Sequence, residues 1–543
     1  MAFALTVDAG PPKVLNFPAR DLTLFGHVTN AVGPYSVQWS QVSGPPSATF
    51  SAAWALATTV SFTTTGSYVF RLTATDGTAV TQDVSVTVNP ASIQTAYYVD
   101  PTYSGSSNGS AATPWKSFLE SDSDFTAKWN TINSALQSND VIIYFSARQA
   151  GSDTQEQIIP PAGSALIINR TPRGGTFNHP GAGDTSTHRL MLDGMSLYNT
   201  NDASPNWVPY TGLNRFKVNC VNVCDSMGFG WGDDNQRDYV TLRGFEVTGN
   251  SGRIRWGGSF TVLEYIYVHD VTTIGATIQF NEFANSGPTC TGLPFGVDHD
   301  ITIRNNTLSK GIGEGIYVAG NYNLAGDGGC VTGPNSGDNH YDILIEGNLE
   351  TDTGYNGDQG DGIDLKAGLY NVTVRRNTIS LTHAGPVGAC GGGDGITTLG
   401  QMPNSTHESN YLIEQNTMHD LGCKSGGDAS NGITVSGLHG VTVRNNLLYN
   451  IPGAGIVGWT RQTGATPTDV RVRIYNNTVY AASTGLAFSD FSDAPILRNN
   501  LLLGNNTSIG GSPPSIDSDY NFMAPSGSQL REGSHSITQA VTT

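Results

Sequence analysis

Residues 356–368 read NGDQGDGIDLKAG, with three aspartates and a lysine set among four glycines. Such groups suit two kinds of chemistry. A hard cation such as Ca²⁺ takes several carboxylate and carbonyl oxygens, and a glycine-rich turn leaves its carbonyls accessible. Carboxyl groups in close pairs do acid–base work, and a neighbouring lysine supplies a proton acceptor or a counter-charge for an anionic substrate. The plainer reading is a turn, since aspartates in GDG sequences commonly bond their own backbone and an isolated lysine is usually a solvated one.

The stretch repeats along the chain, and its repeats divide its residues by role. GEGIYVAG (313–320), GDGIDLKAG (360–368), GDGITTLG (393–400), SNGITVSG (430–437), GAGIVGW (453–459) and STGLAFS (483–489) align, and RIRWGG (253–258) and ATIQFNE (276–282) fit the same frame. Side chains of a strand alternate between faces, so Ile254, Ile278, Ile316, Ile363, Ile396, Ile433, Ile456 and Leu486 point to a core. One outward row then runs Arg255, Gln279, Tyr317, Asp364, Thr397, Thr434, Val457, Ala487, and a second holds Asn281, Lys366, Ser436 and Trp459. A third row, at the turn before the strand, runs Ala276, Glu314, Asp361, Asp394, Asn431, Ala454, Thr484. Glu314, Asp361, Asp364 and Asp394 thus fall within three rungs and repel unless they bind a cation, share a proton or face water. They are the candidate metal ligands. Lys366, Asp364 and Arg255 are candidate catalytic groups, and Tyr317, Gln279, Asn281 and Trp459 candidate sugar contacts, through planar faces and polar ends. Trp256 falls in the inward register. Asp298, His299 and Asp300 of FGVDHD, with His269 and Asp270, are secondary candidates, since histidines near turns more often serve as structural hydrogen-bonders.

The elements that position these groups form a second repeat. ITIRNNTL (301–308), ILIEGNLE (343–350), VTVRRNTI (372–379), YLIEQNTM (411–418), VTVRNNLL (441–448), VRIYNNTV (472–479) and PILRNNLL (495–502) each carry an asparagine at the same place: Asn306, Asn348, Asn377, Asn416, Asn446, Asn477 and Asn500. One short strand set per turn with variable insertions predicts a parallel β-solenoid. The asparagines read as a structural stack. The row Arg304, Glu346, Arg375, Glu414, Arg444 alternates in sign and predicts a favourable charge ladder on stacked rungs.

Composition agrees. Glycine is 66 of 543 residues and charged residues only 13%, against 38% hydrophobic, the pattern of many short strands and turns. A net charge of −18 excludes a nucleic-acid partner, which needs concentrated Lys and Arg, and no run of eighteen apolar residues offers a membrane span. The start, MAFALTVDAG, shows no secretory leader. Cys220, Cys224, Cys290, Cys330, Cys390 and Cys423 contain no CxxC pair; they predict disulfides of an oxidising compartment, paired by proximity as 220–224, 290–330 and 390–423, with free buried thiols as the alternative.

Residues 5–91 alternate apolar and polar positions and predict a small antiparallel sandwich. WSQVSGP (39–45) and GSYVFRLTATDG (66–77) resemble the Ig-like modules of the PKD type. YYVDPTYSGSSNGSAATPWKSF (97–118), with the recurring VTVRNN and GDGIDLK coils, resembles right-handed parallel β-helix proteins of the pectate-lyase-like superfamily. The expectation is an all-β chain: an Ig-like domain over residues 1–92 and a right-handed parallel β-helix over 93–543. The resemblance implies extracellular polysaccharide chemistry. In its calcium-dependent lyases, aspartates on adjacent coils hold Ca²⁺ against a uronate, which would make Asp361, Asp364 and Asp394 ligands and Lys366 or Arg255 the base that takes the C5 proton. No complete lyase motif is present, and FGVDHD resembles only part of the active-site motif of alginate epimerases. A glycoside hydrolase with paired carboxylates and a non-catalytic carbohydrate-binding adhesin remain the alternatives to a secreted lyase of acidic polysaccharide.

Overall fold

In a computed structural model, the described residues are 5–16, 21–29, 31, 35–90, 94–119, 121–147, 155, 157–161, 188–197, 208–209, 215–221, 227–229, 238–250, 252–272, 275–280, 298–318, 340–354, 360–382, 393–399, 409–422, 430–438, 440–459, 472–489, 494–511, 516–524 and 535–538. From Thr95 onward they form a right-handed parallel β-helix of three long sheets. The first sheet contains the strands that end in the Arg/Glu row, such as Tyr341–Glu346 and Tyr370–Arg375. The second contains the strands that follow the asparagines, such as Leu349–Thr353. The third contains short strands such as Ile316–Val318, Ile363–Leu365 and Ile396–Thr398. Pairings between successive coils in these sheets are parallel and, apart from one shift between Tyr144 and Ser146 in the first sheet, in register, as with Ile316↔Ile363↔Ile396. The isoleucine column is completely buried, so the inward assignment holds from Ile254 to Leu486, and Trp256 is core beside Phe280.

Two features make the coils turn at the same place on each rung. Between the first and second sheets one residue per coil adopts a left-handed conformation, including Asn305, Arg376, Gln415 and Asn445, at φ near 56°. Most side chains disfavour that conformation, and the asparagine that follows supplies the compensation. Asn377 Nδ2 donates to Asn416 Oδ1 (3.0 Å) and to the Ile345 carbonyl (3.1 Å), while its Oδ1 accepts from the Asn348 backbone N–H (2.9 Å) and Nδ2 (2.9 Å). The same bonds run from Asn306 through Asn348, Asn377, Asn416, Asn446, Asn477 and Asn500 to Asn521. The stack is structural, as its spacing suggests. A helix, Phe125–Leu136, lays Phe125, Trp129, Ile132 and Leu136 into the core cluster of the β-helix near its first coils.

Residues before Asn89 form a separate sandwich. Its four-stranded sheet comprises Lys13–Asn16, Ala79–Asn89, Gly66–Thr75 and Ser36–Ser43, and its three-stranded sheet Asp21–Phe25, Ala57–Ser61 and Thr49–Phe50. They close on a core that includes Trp39, Tyr68 and Phe70. This domain packs on the outer face of the first sheet. Phe25 and Ala57 bury against Leu344, Lys13 pairs with Asp300, and Arg375 donates to the Ala57 carbonyl (2.5 Å) and Ser51 Oγ (3.2 Å). The predicted charge ladder is therefore also partly an interface. Its internal pairs also form, Arg304–Glu264 (2.7 Å), Arg375–Glu346 (3.0 Å) and Arg444–Glu414 (2.8 Å). Among the described residues no helix is long and apolar enough to cross a membrane.

Asn377→Ala leaves donors and acceptors of two neighbouring rungs unpaired in the interior. It is expected to cost roughly 2–4 kcal/mol in equilibrium denaturation, whereas Asn499→Ala, at an exposed left-handed position outside the stack, should cost less, about 1 kcal/mol.

Candidate functional site

The third sheet places the candidate residues through its register. Arg255, Gln279, Tyr317, Asp364, Thr397 and Thr434 stand opposite one another on successive strands. The glycine before each isoleucine is required by how closely the coils approach: a Cβ on Gly362 would lie 2.6 Å from the Gly395 carbonyl oxygen, and one on Gly315 2.6 Å from that of Gly362. Real Cβ atoms do not approach so closely. The GxG that drew attention to Asp361 and Asp394 is thus set by backbone packing.

The turn row divides by function. Asp361 Oδ1 accepts from the Asp394 backbone N–H (2.7 Å), Asp394 Oδ1 from that of Asn431 (2.7 Å), and Asn431 Oδ1 from that of Ala454 (2.9 Å). Asp394 Oδ2 also accepts from Thr434 Oγ1 (2.6 Å). Both oxygens of Asp394 are therefore committed to holding the turn. Asp364 Oδ2 lies 2.5 Å from Lys366 Nζ. Asp394 therefore has no oxygen to spare for a calcium ion, and among the described residues no three His, Cys, Asp or Glu side chains gather where they could hold a metal.

Burial and neighbouring charge shift the proton affinities of this cluster. Burial, then the nearby Asp364 and Asp394 charges, pushes the Asp361 carboxyl well above its usual range, and burial with Asp364 raises that of Glu314. Burial also raises Asp364, partly offset by Lys366. Burial works against the Lys366 ammonium, but Asp364, Glu314 and Asp361 outweigh it and hold the lysine above its ordinary value. Lys366 Nζ sits over the Tyr317 ring, 5.1 Å from its centroid. The expectation of a solvated outward row needs correction: Asp364 is 1% and Lys366 9% exposed, and Arg255, Gln279 and Tyr317 are also buried. Arg255 stands three rungs from Asp364, roughly 14 Å at the usual strand spacing, too far to share one sugar with Lys366. Its place in the row makes it a candidate subsite contact, not a base.

Other expected residues go elsewhere. Asn281 lies outside the described residues. Trp459 ends the strand Ala454–Trp459 opposite Ser436 and Ser489, described in its backbone alone. His299 bonds Asp300 (2.8 Å), which pairs with Lys13, so FGVDHD reaches the domain interface. Asp298 is buried beside His340, whose backbone-bonded ring is pushed down to about 3 by burial. His269 and Asp270 belong to the second sheet, where His269 bonds Glu246 (3.1 Å) and Asp270 (2.7 Å). Cys220 is disulfide-bonded, and the other five cysteines lie outside the described residues.

Sequence reasoning missed Glu350. It stands in the inward register of the second sheet between Leu308 and Ile379, is completely buried, and neither carboxyl oxygen has a hydrogen-bond partner among the described residues. Its Oε2 occupies the space a Cβ on Gly315 would need, directly behind Glu314. The only signal was a glutamate at an alternation position otherwise held by Leu, Ile, Met and Val.

Residues 9–89 match a family model for the PKD domain. Among solved structures the chain is similar to the PKD domain from the KIAA 1837 protein, at 30% identity over 16% of this chain and 86% of that one, with a TM-score of 0.14. It is also similar to the PKD domain of human KIAA0319, at 26% identity over 19% and 88%, with a TM-score of 0.15. An alginate lyase from Paenibacillus sp. str. FPU-7 is similar at 13% identity over 65% of this chain and 95% of that one, with a TM-score of 0.28. The chain has no match among curated proteins.

Burial alone holds the Glu350 carboxyl far above its ordinary range. A raised folded-state value favours the fold below the unfolded-state value near 4.3 and loses that contribution as pH climbs through the folded-state value. Thermal melts of Glu350→Gln against the parent should therefore separate increasingly above about pH 4.5, with the variant declining less. Parallel pH profiles would contradict this.

Proposed function

We propose that this chain, a right-handed parallel β-helix protein whose residues 9–89 belong to the PKD-domain family, acts outside the cell on an acidic polysaccharide. The polymer lies along the outward face of the third sheet and is cut there by β-elimination. One observation carries this reading: Lys366 is paired with Asp364 and stacked on Tyr317 in a row that continues through Gln279 to Arg255. A cation on an aromatic face suits a sugar ring with a carboxylate, and a row several rungs long suits a polymer.

The chemistry follows from the protonation states. β-Elimination at a uronate removes the C5 proton, passes charge to the carboxylate and expels the O4 substituent. Lys366, in its neutral form, accepts the C5 proton and, as the ammonium so formed, returns a proton to the departing O4 oxygen. Glu314 and Asp361, whose carboxyls burial and neighbouring charge raise, donate hydrogen bonds in their protonated forms to the carboxylate as it gains enolate character. Carboxylic acids held neutral in apolar sites are suited to that task. Arg255 binds a carboxylate farther along the polymer. No step needs a metal ion, so activity is expected to survive chelation.

Asp364 sets the cost of the arrangement, since it holds Lys366 protonated. Removing its charge in Asp364→Asn lowers the Lys366 value, so the upper apparent pKa of kcat/KM should move to lower pH. Lys366→Met should reduce kcat by roughly 10²- to 10⁴-fold, the usual contribution of a positioned proton acceptor. Ultraviolet absorbance of unsaturated uronides from alginate, pectate or glucuronan reads both variants. Reducing ends released without that absorbance would instead assign the raised carboxyls of Glu314 and Asp361 to a hydrolase, and binding without any product would assign the face to adhesion.

A further inference from the structure

The charge ladder on the first sheet has a break. Glu264, Arg304, Glu346, Arg375, Glu414 and Arg444 stand opposite one another on successive rungs with strictly alternating sign. At the next rung a carboxylate is due, and Tyr475 stands there, between Arg444 on one side and Arg498 on the other. The two arginines turn away from each other for their partners. Arg444 reaches back to Glu414 (2.8 Å) and Arg498 to Asp517 (2.6 Å), so no carboxylate occupies the rung between them. At the usual strand spacing they lie two rungs, about 9.6 Å, apart.

A cleft of about 410 Å³ opens over this break, within the range of small-molecule sites. Arg444, Tyr475, Asn476, Arg498 and Tyr520 line it from the β-helix, and Tyr35 from the PKD domain. Tyr475 is 8% exposed, and its hydroxyl has no hydrogen-bond partner among the described residues. Burial pushes its phenol up to about 12, so the hydroxyl remains a donor at working pH. Tyr520, 54% exposed, presents an aromatic ring at the same cleft. Two guanidinium groups, a buried unsatisfied hydroxyl, an amide and exposed aromatic rings are what recognition of an anionic sugar requires.

We propose that this cleft is a second binding site, for an acidic oligosaccharide, built jointly by the PKD domain and the β-helix. A sugar carboxylate takes the place of the missing rung carboxylate between Arg444 and Arg498, the Tyr475 hydroxyl donates to it or to a neighbouring sugar oxygen, and a ring stacks on Tyr520. The site shares with the proposed function only its class of ligand. It lies on a different sheet from Lys366 and requires no turnover.

Titration calorimetry of the full parent chain at about pH 5, where Lys366 stays an ammonium so that ligand is not consumed, tests it with hexamers of mannuronate, guluronate and galacturonate and with cellohexaose as the neutral probe. At least one uronate hexamer should bind with two equivalents per chain. Tyr475→Glu places a carboxylate on the vacant rung, and it should remove one equivalent without lowering the melting temperature. Tyr475→Phe, which deletes only the hydroxyl, should weaken that equivalent by about tenfold. One equivalent falling to none in Tyr475→Glu would still support this cleft while failing the third-sheet groove. Stoichiometry and affinity unchanged in both Tyr475 variants, cellohexaose bound as tightly as the uronates, or no uronate bound at all would overturn the proposal.

Discussion

Every side chain in the β-helix has its own counterpart one rung above and one below, about 4.8 Å away. A column therefore survives only if its residue type tolerates close contact with itself or with an alternating partner. Isoleucines stack into a continuous core, and asparagines pass a hydrogen bond from Asn306 to Asn521. The glycines beside the isoleucines are needed because the next coil's carbonyl leaves no room for a Cβ. Arginine and glutamate alternate because neither can follow itself.

The same constraint explains what is unusual about the third sheet near Asp364. Carboxyl groups on neighbouring coils break the rule, and the structure answers in three ways. Asp394 spends its oxygens on backbone and hydroxyl donors. Burial and the nearby Asp364 raise the Glu314 and Asp361 carboxyls, with Asp394 adding to the second. Asp364 takes Lys366 as a counter-charge. A site that carries raised carboxyls and a held ammonium side by side is one where groups have been separated in proton affinity, the condition for acid–base chemistry. The contacts of the PKD domain named above all fall on the first sheet, so its docking covers the charge ladder and leaves the row of Tyr317 and Lys366 to other partners.

Much of this was legible in the order of residues because a solenoid converts sequence period into spatial neighbourhood. The rows from Arg255 to Ala487 follow from aligning GxGI repeats, and the asparagine stack from aligning xxRNN, with no knowledge of how distant segments meet. Where contacts depend on segments outside the repeat, reading the period was not enough. FGVDHD looks like a site, yet His299 and Asp300 serve the PKD interface. Arg375 reads as one rung of a charge ladder, yet it is also wholly buried beneath Ala57 and Ser51.

The sequence by itself determined the fold, the register and which residues share a face, since alternation and repeat spacing are local properties that stacking carries through the whole length. Tertiary structure alone decided burial and proton affinity. Burial raises both Asp361 and Asp394, but only Asp394 is shown accepting a hydroxyl bond from the coil after it, from Thr434, and Lys366 is held above its ordinary value by the charges packed around it. Glu350 retains its proton because no polar partner reaches it among the described residues. Electrostatic energies depend on distance and dielectric surroundings in three dimensions, and a one-dimensional period records neither.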